Sequence, residues 1–223
     1  MIFPASNVVR VTDLLAAPYL IKVCAVTSVG DAQMVVHAGA SALGVILADS
    51  PRRVPLESAV EIFRSVQDRI ARVGVFRHST YDEIARAVDA LDLEVVQIYG
   101  AIPAGVTALV RERGLNLFEA LSTDELGSAS GLGDAYLIDG PRPGSGEAQD
   151  WLEVAQRHWD RPLIVAGGLT GETIYDVLAS VNPWGCDVAS GSESSPGVKD
   201  RERVESFVRN ARQYFEDREE NRG

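Results

Sequence analysis

Cysteine and histidine are scarce in this 223-residue chain, which has only Cys24 and Cys186 and the three histidines His37, His78 and His158. Two cysteines make no disulfide framework, and a reducing cytoplasm is the simplest home for them. The histidines are scattered, without His-x-x-x-His or Cys-x-x-Cys spacing, so no metal site is expected, and each reads as a surface or packing residue. Long apolar runs are missing too. No stretch approaches the ~20 residues that span a bilayer, and MIFPASNVVRVTDLLAAPYL lacks the basic and long apolar regions of a signal peptide. Positive charge is in the minority, with 21 Lys and Arg against 32 Asp and Glu, a net charge of −11. That balance argues against broad nucleic-acid binding, which rests on cations neutralising phosphates. It leaves an anionic small molecule open, because a cleft's local field can differ in sign from the whole surface.

What is present is an alternation. Short, mostly apolar runs recur at 20–26, 42–47, 71–76, 94–99, 115–121, 135–139, 162–167 and 185–190, the pattern of strands buried on both faces of a parallel sheet. Helical periods separate them. Tyr81, Ile84, Ala85, Val88 and Leu91 share one face behind a capping box in Thr80-Tyr81-Asp82-Glu83. Val204, Phe207, Val208, Ala211 and Phe215 repeat the pattern near the end. Eight strand–helix units predict a single-domain (β/α)8 barrel over 20–216, with an extension at 1–19 and a frayed tail at 217–223. An open doubly wound sheet is the other architecture this alternation allows, but no Gly-x-Gly-x-x-Gly follows the first run. The fifth unit is the weakest, since TDELGSASGLG (123–133) offers only a short helix.

In such a barrel the chemistry sits where the strands end. The polar residues there are Cys24, Arg52 and Arg53, Arg77 and His78, Gln97 and Tyr99, Glu119 and Asp139, with the glycine-rich turns AGGLT and ASGSES. Loops after the seventh and eighth strands commonly hold a phosphate on backbone N–H groups, which makes Gly167, Gly168, Ser190 and Gly191 candidates for that role. Gly144, Ser145 and Gly146 are either linker or a third wall of the same site. Asp139 is either a turn starter or a general acid with a raised pKa. Cys24 is either a packed small hydrophobe or a base, and Lys22 shares its strand face.

KVCAVT, ALGVIL…SPRRV, VGVF, VVQIYG, YLID, GSG…DW, IVAGGLT, DVASGSE and PGVKD occur in this order. Together they resemble the successive motifs of the phosphoribosylanthranilate isomerase family of tryptophan biosynthesis, from about Lys22 to the last helix. The resemblance implies a (β/α)8 barrel that performs an Amadori rearrangement without metal or organic cofactor. It implies Cys24 as general base, Asp139 as general acid, Arg52 on the anthranilate carboxylate and the loop glycines on the phosphate. The implied partner is a phosphorylated small molecule, with neither nucleic acid nor membrane, bound by a monomer or homodimer.

Several positions depart from the family's usual pattern. Ala25 replaces glycine after the cysteine, Tyr99 replaces histidine, Glu119 stands where lysine is usual, Arg77-His78 replaces a small residue and asparagine, and Gln149 replaces phenylalanine. These changes spare the implied acid, base, arginine and glycines. They leave two alternatives beside the family's own reaction: the same chemistry on another aminoaldose phosphate, or a barrel that binds a phosphorylated ligand without turning it over.

Overall fold

The computed structural model describes residues 11–67, 69–140 and 151–221. Eight parallel strands, β1 (Leu20–Val23), β2 (Ala42–Ile46), β3 (Ala71–Arg77), β4 (Val95–Tyr99), β5 (Asn116–Ser122), β6 (Ala135–Asp139), β7 (Leu163–Val165) and β8 (Gly185–Val188), close into a barrel in chain order. The expected (β/α)8 barrel is therefore present and the open sheet is not. Closure is made by β1 against β8, which sets Lys22 in register with Asp187.

Seven α-helices wrap the sheet: α1 (Val29–Ala38), α2 (Leu56–Arg64), α3 (Tyr81–Leu91), α4 (Val106–Glu112), α5 (Leu152–Gln156), α6 (Ile174–Val181) and α7 (Arg201–Glu220). The connection after β5 is a 3-10 turn, Thr123–Ser128, as the glycine-rich segment implies. Thr80 caps α3 with the reciprocal bonds of a capping box. The helix buries Ile84, Val88 and Leu91 but leaves Tyr81 exposed, contrary to its expected place on the apolar face. Every apolar position expected on α7 is buried.

Successive strand residues face opposite sides, so each run builds two cores. Leu20, Ala42, Val73, Val95, Phe118, Leu137 and Ile164 fill the barrel interior. Ile21, Leu43, Val45, Val96, Ile98 and Ile138 pack outward under the helices with Ile84, Phe207 and Phe215. Burial on both faces explains why the strands read as continuous apolar runs.

The segments before β1 and at the end of α7 engage this frame. Residues 11–16 form a 3-10 turn whose Leu14 joins the interior cluster. The Trp184 indole N–H donates to the Ala17 carbonyl at 2.9 Å, and Tyr19 stacks on Phe215. The expectation of fraying from residue 217 is corrected, because α7 continues to Glu220. Arg218 secures that last turn by donating to the Pro183 and Pro18 carbonyls, and its guanidinium lies 4.9 Å from the Phe215 ring centre. A short antiparallel hairpin, β9 (Glu193–Ser195) and β10 (Val198–Lys199), follows β8 and had no signal in the apolar pattern. Among the described residues no helix is long and apolar enough to cross a membrane.

Candidate active site

The C-terminal ends of the strands enclose a cleft of about 400 Å³, lined by Cys24, Arg52, Arg77, Tyr99, Asp139, Gly167, Gly168, Asp187 and Ser190 among others. Six of the residues singled out for chemistry or ligand contact, Cys24, Arg52, Arg77, Tyr99, Asp139 and Ser190, thus share one wall system, and two loop glycines complete it. Gly144, Ser145 and Gly146 lie outside the described residues.

Cys24 follows β1 directly, and its N–H donates to the Val188 carbonyl at 2.8 Å. Cys24 is 5% exposed, and its side chain shares the barrel interior with Lys22. Gly44 on β2 makes the space for both. A Cβ added there would lie 2.9 Å from Cys24 Sγ and 3.3 Å from Lys22 Nζ, so any larger residue would displace one of them. The Lys22 ammonium is fully buried and donates to Asp187 Oδ2 at 2.7 Å. Burial pulls its pKa down, yet the Asp187 carboxylate and the sulfur together hold it above its ordinary value. Burial pushes the Cys24 thiol up, Asp187 adds to this, and Lys22 and Lys199 only partly oppose it. The expectation that Lys22 shares a face with Cys24 holds, but burial, with Asp187 adding to it, shifts the balance towards thiol.

Ala25 adopts a left-handed backbone, with φ at 61°. An L-residue with a Cβ is strained there, whereas glycine is not.

Asp139 ends β6 and is 6% exposed. Its Oδ1 accepts from the Gly140 N–H at 2.8 Å, and its Oδ2 accepts from the Tyr99 hydroxyl at 3.0 Å. Burial raises its pKa from 3.8 to about 6, against the lowering effect of those two hydrogen bonds. Gly167, at φ 86°, packs against this turn, and a side chain there would overlap Asp139 Oδ1 and the Gly140 N–H. Gly191 is not part of the cleft lining. It is the point where the β7 and β8 loops touch, since a Cβ would run into the Leu169 carbonyl.

Arg52, in the loop after β2, is held along one edge by Glu193. Nε lies 2.9 Å from both carboxylate oxygens and Nη2 lies 2.9 Å from Oε2. Glu193 is itself buried and reaches Lys199 Nζ at 3.4 Å, while that ammonium also donates to Ser192 Oγ and the Ala189 carbonyl. Burial lowers the Lys199 pKa, with Glu193 opposing. The hairpin after β8 therefore supplies the support for Arg52.

Four polar candidates at or near strand ends lie away from the cleft lining. Glu119 sits between Phe118 and Ala120, which face the interior, and it accepts from the Ser130 N–H on the outer side. Gln97 is fully buried with no partner on either side-chain polar atom among the described residues. His78 turns at φ 53° and is exposed outside the cleft, as is Arg53. Asp187, Glu193 and Lys199 were not among the sequence candidates for chemistry. One signal for Asp187 was available: a lone charge inside the last apolar run, matching Lys22 inside the first. No group of three or more His, Cys, Asp or Glu side chains is placed to hold a metal among the described residues.

Comparison with known proteins agrees with this geometry. A family model for N-(5'phosphoribosyl)anthranilate (PRA) isomerase matches residues 21–210. The N-(5'-phosphoribosyl)anthranilate isomerase of Geobacter sp. (strain M21) is 35% identical over 198 residues, covering 86% of this chain and 97% of that protein. The crystal structure of phosphoribosyl anthranilate isomerase from Thermus thermophilus superposes with a TM-score of 0.75 at 33% identity, over 87% of this chain and 98% of that one. A phosphoribosyl anthranilate isomerase in complex with reduced 1-(o-carboxyphenylamino)-1-deoxyribulose 5-phosphate gives 0.74 at 27% identity, covering 87% and 99%. On a closed eightfold barrel and a likeness that spans nearly all of it, the chain belongs to the N-(5'-phosphoribosyl)anthranilate isomerase family and is an isomerase of that type.

Proposed function

We propose that this chain converts N-(5-phosphoribosyl)anthranilate into 1-(2-carboxyphenylamino)-1-deoxyribulose 5-phosphate in tryptophan biosynthesis, with Asp139 as general acid and Cys24 as general base. The observation that carries the reading is the placement of a buried carboxyl of pKa about 6 and a buried thiol on one cleft. Asp139 gives its proton to the ribose ring oxygen as the C1–O bond breaks and the anilino nitrogen's lone pair forms C1=N. A carboxyl with a raised pKa can carry that proton near neutral pH. The Cys24 thiolate then takes the C2 proton, and the C2–H electrons form C1=C2 while the C1=N pair returns to nitrogen. The enolamine tautomerises to the ketone. Atoms and electrons are conserved, so no oxidant or reductant enters.

Lys22 supplies the positive charge that favours thiolate, and Asp187 holds Lys22 in place. Arg52, gripped along one edge by Glu193, presents its remaining N–H groups to the anthranilate carboxylate, a planar match that lysine lacks. The backbone of the loops carrying Gly167, Gly168, Ser190 and Gly191 receives the phosphate, with Gly144, Ser145 and Gly146 assigned to the same site by the family resemblance.

The test is turnover of freshly made phosphoribosylanthranilate by the purified protein, followed by loss of substrate fluorescence. The reading expects turnover and binding of the reduced product analogue. Weak turnover with weak analogue binding points to another aminoaldose phosphate, and tight analogue binding without turnover overturns the enzyme assignment.

A further inference from the structure

We propose that Tyr99 is a positioning residue of this reaction, whose hydroxyl holds the Asp139 carboxyl in the orientation from which it protonates the ring oxygen. The inference rests on the reading of Asp139 as the acid. Its basis is a reach across the sheet. Tyr99 ends β4 and Asp139 ends β6, so the two are separated by β5, where Ala120 stands in register with Tyr99 and Ser122 with Asp139. Phe118 and Ala120 are the apolar interior residues of β5, and the small side chain at 120 leaves the phenol room to pass over that strand. The hydroxyl ends 3.0 Å from Oδ2.

With the Gly140 N–H on Oδ1, each carboxyl oxygen accepts one fixed donor. Rotation of the carboxyl would break one of these bonds, so the acidic proton is carried on a remaining lone pair in a constant direction. The phenol keeps its own proton over the working pH range. Burial first, and then the charges of Asp139, Cys24 and Asp187, hold its pKa well above 10.0. The other charged or titratable groups around Asp139 are Asp187 on β8, Lys22 on β1 with Cys24 just after it, Arg77 on β3, and Asp49 and Arg52 in the loop after β2.

A donated hydrogen bond stabilises the carboxylate, so its loss raises the pKa of Asp139. Removing the hydroxyl therefore does two separable things: it loosens the acid, and it leaves more of the acid protonated at neutral pH. Tyr99→Phe keeps the ring and tests both. Relative kcat/KM for phosphoribosylanthranilate is measured for wild type and Tyr99→Phe from pH 5.5 to 8.5, with Asp139→Asn alongside. Substrate ionisation is common to both proteins and cancels in the ratio.

The expected deficit of Tyr99→Phe is about tenfold at pH 5.5, where both proteins hold a protonated Asp139, and it narrows several-fold as pH rises past 6. Affinity for the reduced product analogue stays within about twofold. A purely structural defect gives the same deficit at every pH, and that result, or no deficit at all, overturns the inference while Asp139→Asn remains inactive. Normal turnover by Asp139→Asn instead removes the reading of Asp139 as the acid, and the role of Tyr99 with it.

Discussion

Lys22 and Asp187 meet at 2.7 Å across the seam where the first and last strands close the barrel, and the Lys22 ammonium lies beside the Cys24 thiol. Both charges are buried, so their attraction has to offset desolvation, and removing one leaves the other uncompensated. Lys22→Met is expected to lower stability by about 3 kcal/mol and to raise the Cys24 pKa further by removing the charge that favours thiolate. Denaturant unfolding and the pH dependence of thiolate absorbance, with Cys24→Ser as the blank, check the two effects. An unchanged thiol titration would contradict the coupling.

Asp139 carries a stability cost of known sign. Its folded pKa of about 6 stands above the ordinary 3.8. Below pH 4 both states hold the proton and there is no penalty. Between 4 and 6 the unfolded chain releases it first, so stability falls as pH rises, and above 6 the penalty is complete at about 3 kcal/mol. Asp139→Asn should therefore be more stable than wild type at pH 7, with the gain vanishing near pH 4. Urea titrations at the two pH values measure it, and equal stability at both would remove the raised pKa.

At Ala25 the left-handed backbone disfavours any residue with a Cβ. Ala25→Gly should raise the melting temperature by about 2 °C, for a relief of up to ~1 kcal/mol after the added freedom of the unfolded chain. A fall in melting temperature would show that the turn is not strained.

Arg52 depends on a bidentate grip by Glu193. Arg52→Lys cannot keep that grip and meet a carboxylate in its plane, so KM should rise at least ~10-fold with a smaller change in kcat. Glu193→Gln should move KM in the same direction, by less. Steady-state kinetics check both, and an unchanged KM in Arg52→Lys would remove the arginine from substrate binding.

The barrel was legible because strands buried on both faces leave unbroken apolar runs, and all eight runs became strands in order. Cys24, Arg52 and Asp139 were legible as chemistry at strand ends and as matches to family motifs, and the structure brings them onto one cleft. The supporting charges were harder to read. Asp187 meets Lys22 only once the barrel closes, across 165 residues of chain, and Glu193 reaches Arg52 across 141. Glu119 was misplaced by its nearness to the strand end. It lies among interior-facing neighbours but is itself turned outward, and strand parity there rests on Phe118 and Ala120 rather than on charge. The tail was expected to fray because its residues are charged, but Arg218 finds two carbonyls and an aromatic face.

The proton transfers assigned to Cys24 are tested most directly by single-turnover kinetics of Cys24→Ala with phosphoribosylanthranilate, run beside its affinity for the reduced product analogue. The account predicts a rate at least ~10²-fold below wild type with analogue affinity within about threefold. A wild-type rate in the alanine variant would contradict it.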